Sequence, residues 1–128
     1  MSFSPLAFYA RIDAGDWESV CAMYTPAACY ERPGHPISIG RGEIYTCHSE
    51  PRTPRGKHVI TGALVVGNDA CVWGHFQRMA DNGTQRSERF FDAFLLDHGL
   101  IQHRCTYLPR PAIHPSEFAA SEGRSEID

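Results

Sequence analysis

The chain has 128 residues and a formal charge of −3, which fits one domain of ordinary size and gives no electrostatic basis for a nucleic-acid partner, since that rests on clustered Lys and Arg. Its 42% hydrophobic content is enough for a core. No run approaches the ~18 apolar residues of a membrane span, and the start "MSFSPLAFYARIDAGDW" lacks the basic and long apolar regions of a secretory leader, so a cytoplasmic protein without membrane partners is expected.

Ser4 and Pro5 form an N-cap and first helical position, and "LAFYARIDAG" carries a short helix that Gly15 ends. Asp16 caps a second helix, in which Trp17, Val20, Cys21 and Tyr24 make one apolar stripe before Pro26 stops it. "AACYERPG" reads as a short strand closed by Pro33-Gly34, and "GEIYTCHSE" as a third helix between Gly42 and Pro51. From His58 the character changes. "HVITGALVV", "CVWGHFQRM", "SERFFDAFLL" and "LIQHRCTYL" are strand-like runs rich in β-branched and aromatic residues, separated by turns at "GNDA", "DNGT" and "DHG". Helices followed by an antiparallel meander indicate an α+β domain over residues 1–110. A polar tail, rich in Pro, Ser and Glu, follows over residues 111–128 and is expected to be loosely ordered.

The carboxylate of Asp92, in the middle of "SERFFDAFLL", is out of place on a strand rich in Phe and Leu, because an unpaired buried charge is costly. If Asn82-Gly83 is a two-residue loop, Trp73 opposes Asp92, His75 opposes Phe90 and Gln77 opposes Glu88. The Asn68-Asp69 turn sets Leu64 opposite Trp73 and Gly62 opposite His75, leaving space before the imidazole. A three-residue loop at "DHG" sets Arg104 opposite Asp92 and Thr106 opposite Phe90. One face then collects Ile60, Leu64, Trp73, His75, Gln77, Glu88, Phe90, Asp92, Phe94, Arg104 and Thr106, the mixture of apolar and convergent polar groups expected of a ligand pocket. Asp92 is either a proton-transfer group or half of a self-neutralising pair with Arg104. Tyr30 and Arg32 alternate inward on their strand and could meet a substrate oxygen. The other face would hold Val59, Val65, Val72, Phe76, Phe91 and Leu95, an apolar surface suited to a homodimer.

The five cysteines are odd in number and lack paired spacing, as expected of free thiols. No C-x-x-C or H-E-x-x-H spacing supports a metal site, "HRC" at 103–105 offers two ligands on one strand without others in view, and no dinucleotide or Walker pattern asks for a cofactor. None is expected.

The stretch "YARIDAGDWESVCAMYTPAACYERPGHPISIGRGEI", followed by "DAFLLDHGLI" and "RCTYL", resembles the SnoaL-like polyketide cyclase branch of the nuclear transport factor two-like superfamily over about residues 5–110. The resemblance implies a cone-shaped barrel, with N-terminal helices packed on a strongly curved antiparallel or mixed sheet around an apolar cavity. It implies Asp92 as general base, helped by polar groups on the neighbouring strand, which correspond to His75 and Gln77. Compared with limonene-type epoxide hydrolases, Tyr30 and Arg32 fall near the water-positioning residues, while His75 and Thr106 replace two carboxylates.

The expected activity is cofactor-independent cyclisation or isomerisation of a hydrophobic, polyketide-like small molecule. Asp92, His75 and Tyr30 are the candidate catalytic residues, and Arg32, Trp73, Gln77, Phe90, Phe94, Arg104 and Thr106 the candidate substrate contacts. An epoxide-opening variant and a non-catalytic binding or assembly module are the alternatives.

Overall fold

The computed structural model describes residues 2–51, 53, 55–80 and 82–109; the expected loose order of residues 111–128 lies outside them. Helix α1 spans Pro5–Ala14 and begins where the Ser4 side chain accepts the Ala7 N–H at 3.3 Å. It ends at Gly15, whose φ of 71° is the left-handed value that a glycine adopts without a Cβ penalty. Asp16 caps α2, Trp17–Ala22, through the Ser19 N–H. This helix ends earlier than the apolar stripe suggests, because Tyr24 already opens strand β1, Tyr24–Glu31. Pro26 therefore lies inside a strand. It is tolerated there because the pairing of β1 slips between Tyr24 and Cys29, where a missing N–H breaks no regular ladder. A two-residue strand β2, Ser38–Ile39, precedes helix α3, Gly40–Ser49.

The remaining strands are β3, Lys57–Val66, β4, Asp69–Met79, β5, Gln85–Asp97, and β6, Leu100–Tyr107. They form the expected meander, and the six strands lie in the order β2-β1-β6-β5-β4-β3, with β1 parallel to β6 and the other neighbours antiparallel. The sheet is mixed and open, and its register shifts in β1, in β3 between Ile60 and Gly62, and near Leu95 bend it around the helices. Phe8 and Tyr9 of α1, Val20 of α2 and Ile44 of α3 close the core against Tyr24 and Ile101. Among the described residues no helix is long and apolar enough to cross a membrane.

The β4–β5 register differs from expectation by one position. The Ala80 N–H donates to Thr84 O at 2.7 Å and the Gly83 N–H to Ala80 O at 2.9 Å. Asn82 and Gly83 thus belong to a three-residue loop, with Gly83 at φ 84° in the left-handed place. Val72 opposes Asp92, and Trp73, His75 and Gln77 oppose Phe91, Arg89 and Ser87. A one-residue slip reverses every side chain. Trp73, His75 and Gln77 accordingly stand on the outer face, while Val72 and Phe76, expected outside, point inward. Trp73 covers Gly62, where a Cβ would run into the indole, and stacks on Phe91 at 6.3 Å. Leu64, Val65, Phe91, Leu95 and Tyr107 are exposed.

Candidate active site

Asp92 is fully buried. Its Oδ2 accepts hydrogen bonds from the Tyr9 hydroxyl and from Arg104 Nη2 (2.9 Å) and Nε (3.2 Å), and its Oδ1 accepts from Thr106 Oγ1. The proton of Thr106 is thus committed, so at the 3.3 Å contact between the two hydroxyls Tyr30 is the donor. Arg104 Nη1 donates to the Tyr24 hydroxyl at 3.2 Å. The guanidinium lies 4.4 Å from the Tyr30 ring centroid and 5.0 Å from that of Phe8. Burial alone would pull the Arg104 pKa down, but Asp92 and three tyrosines outweigh it and raise it. Burial raises the Tyr9, Tyr24 and Tyr30 hydroxyls, so all three stay neutral.

This cluster borders a cavity of about 200 Å³ between the helices and the sheet, which Trp17, Tyr30, Arg32, Phe76, Phe90 and Thr106 also line. A second carboxylate and an imidazole stand in the same wall. His58 Nδ1 lies 2.6 Å from Asp13 Oδ1, and the His58 backbone N–H donates to Asp13 Oδ2 at 2.8 Å. An ionised carboxylate only accepts, so Nδ1 carries the proton; Nε2 has no hydrogen-bond partner among the described residues. The ring packs on Tyr9 at 4.9 Å, Phe76 at 4.7 Å and Phe90 at 5.3 Å. Asp13 comes from the last turn of α1 and His58 from the start of β3, so a tertiary contact makes the pair.

His48, also in the wall, is stacked on both Trp17 at 5.8 Å and Tyr30 at 5.7 Å, with both rings nearly parallel to it. Burial, helped by Arg104 and Arg32, pulls its pKa down to about 3. In the unfolded chain the imidazole titrates at about 6.5. Between those values the unfolded chain takes up a proton that the folded chain refuses, so this contribution is full above about pH 6.5 and is lost on acidification toward about pH 3. The slope is at most about 1.4 kcal/mol per pH unit. His48→Phe keeps the stack and should flatten the acid side of a urea-denaturation series by about that slope between about pH 6 and about pH 4; an unchanged slope would show that His48 takes up its proton in the folded state.

Of the candidates read from the sequence, Asp92, Tyr30, Arg32, Phe90, Arg104 and Thr106 meet at the cavity. His75, Trp73 and Gln77 lie across the sheet from it, because of the three-residue loop. Phe94 belongs to the core rather than the cavity, with its ring 5.0 Å from Phe3 and 5.8 Å from Phe8. Arg104 opposes Phe94 and Thr106 opposes Asp92, since the "DHG" turn is a two-residue loop with His98 and Gly99 both at positive φ, accompanied by a register shift near Leu95. The residues missed were Tyr9, Asp13, His48 and His58. The positions of Asp13 before the Gly15 cap and of His58 at a strand start carried no pairing signal.

The SnoaL-like domain profile matches residues 6–104. No curated protein matches the chain. Among solved structures, the chain is similar to a nuclear transport factor two-like protein of unknown function from Burkholderia pseudomallei, with a TM-score of 0.71 and 16% identity over 80% of this chain and 85% of that one. It is similar to SalBIII, an epoxide hydrolase/cyclase-like enzyme in pyran ring formation of the polyether salinomycin, with a TM-score of 0.71 and 17% identity over 81% and 86%. A candidate SnoaL-like polyketide cyclase from Jannaschia sp. CCS1 gives 0.66 and 15% over 84% and 90%. At these identities the likeness concerns the fold.

Proposed function

The chain belongs to the SnoaL-like domain family, and from that premise we propose that it is a cofactor-independent acid–base enzyme, a cyclase or isomerase of a small polyketide-like ketone. The observation that carries this reading is the Asp13–His58 pair in the wall of a largely aromatic cavity. His58 Nε2 takes a proton from the carbon beside a carbonyl, and Asp13 holds the imidazole and stabilises its positive form. The developing oxyanion is met by Arg32, which lines the cavity and forms no ion pair among the described residues. Returning the proton at another atom gives isomerisation; attack by the carbanion on a second carbonyl breaks its C=O π bond and closes the ring, and the proton on His58 passes to the new alkoxide. Trp17, Phe76 and Phe90 keep water from the enolate.

Asp92 has a different part. Its Oδ2 is held by Tyr9 and Arg104 and its Oδ1 accepts from Thr106, so in this reading it orients those donors and is not the base itself. Opening of an epoxide by an internal hydroxyl needs the same pairing of base and cation, and the fold likeness to SalBIII supports that variant. The cavity of about 200 Å³ is below the usual 300–1,000 Å³ of a drug-sized pocket, which favours a guest of one or two rings. The test is exchange of the α-protons of β-tetralone in deuterium oxide, followed by nuclear magnetic resonance: an enzyme of this kind catalyses it, whereas a binding module holds the ketone without exchange.

The outer sheet face, with Phe91, Leu95 and Tyr107 exposed beside Trp73, pairs with a second copy of the chain. Sedimentation should give a dimer, and Phe91→Lys a monomer; a monomeric wild type at micromolar concentration would contradict this pairing.

A further inference from the structure

A second cluster lies across the sheet from the cavity. The parallel strands β1 and β6 set Cys29 beside His103 and Glu31 beside Cys105. Alternation sends Tyr30 and Arg104 inward and these four residues outward. Cys29 Sγ, a Glu31 carboxylate oxygen and a His103 ring nitrogen lie within 4.8 Å of one another, and His103 Nε2 is 2.5 Å from Glu31 Oε2. We propose that Cys29, Glu31 and His103 bind a divalent transition-metal ion of the zinc type, with water in the fourth position.

The donor set selects the ion. Zinc accepts sulfur, nitrogen and oxygen together, whereas calcium and magnesium require oxygen ligands in greater number. Ligand bonds of about 2.0–2.3 Å in a tetrahedron place neighbouring donor atoms roughly 3–4 Å apart. The trio reaches that spacing by side-chain rotation, because the β1–β6 ladder already fixes the backbones. In the single chain the Glu31 and His103 side chains are 39% and 41% exposed, which leaves room for the ion and its water; His103 lies beside Leu95, so the site stands at the border of the face proposed to pair.

A plain Glu31–His103 ion pair would make no use of the thiol beside it. A bound cation draws out the Cys29 thiolate, with release of a proton to solvent. Cys105 shares the face but stands outside the trio. The bound ion would clip β1 to β6 and so hold Tyr30 and Arg104 in the cavity wall without entering the cavity.

The experiment is titration of the reduced protein with cobalt(II), read by the thiolate-to-cobalt charge-transfer band and the visible bands of tetrahedral cobalt. The wild type should show both, and zinc should displace them. Cys29→Ser should lose the charge-transfer band, and His103→Gln should bind cobalt about tenfold or more weakly. Cys71→Ser, an outward cysteine on β4, should keep both properties. Each variant is first melted without metal to show that it folds like the wild type. A wild type without the band, or a band that survives Cys29→Ser or disappears with Cys71→Ser, overturns the proposal.

Discussion

Asp92→Asn should cost the fold about 3–5 kcal/mol, measured by urea denaturation at neutral pH. The substitution removes the counter-charge of Arg104, which is itself 4% exposed, and leaves a guanidinium with no carboxylate in contact. It also gives the Tyr9 and Thr106 hydroxyls an amide in place of an acceptor-only group, so one of those donors meets another donor. A domain of this size has roughly 5–15 kcal/mol of stability, so the loss is a large part of the total. Removing both charges is expected to cost less than the sum of the single changes, because most of the single loss is the unpaired partner. Asp92→Asn/Arg104→Gln should therefore recover at least about 1 kcal/mol of that sum. Strict additivity would show that the two residues are not coupled.

Local chemistry made the helices legible. Ser4, Gly15 and Asp16 act through groups within a few residues of themselves, and each stands where its capping role requires. The four long strands were legible for a similar reason, since β-branched and aromatic runs bounded by turn residues carry their own signal. Register was not. Asn-Gly serves both two- and three-residue hairpin loops, and a change of one residue between them moved His75, Trp73 and Gln77 to the far side of the sheet. At the next turn Arg104 stands opposite Phe94 rather than Asp92, a displacement of two positions. That keeps the face, so Arg104 still meets Asp92 through a diagonal contact. Tyr9, Asp13 and His58 were beyond reach because helix α1 meets the sheet through packing that periodicity does not encode. The candidate site was thus legible where it rests on alternation along β1, β5 and β6, and illegible where it joins α1 to β3.

His58→Gln should lower proton exchange by about 10²–10⁴-fold, the usual contribution of a positioned acid–base group. Glutamine fills similar space and can still bond Asp13, so the fold and the binding of the ketone should be kept while the basic nitrogen is lost. Asp13→Asn should cost less in rate than His58→Gln, because it weakens the orientation and charge support of an imidazole that is still present. The most direct measurement is the rate of α-proton exchange of β-tetralone in deuterium oxide with the wild type and with His58→Gln at equal ketone occupancy. Exchange above the buffer rate that disappears with His58→Gln is the predicted result. A wild type no faster than buffer, or a variant as fast as the wild type, would contradict the account.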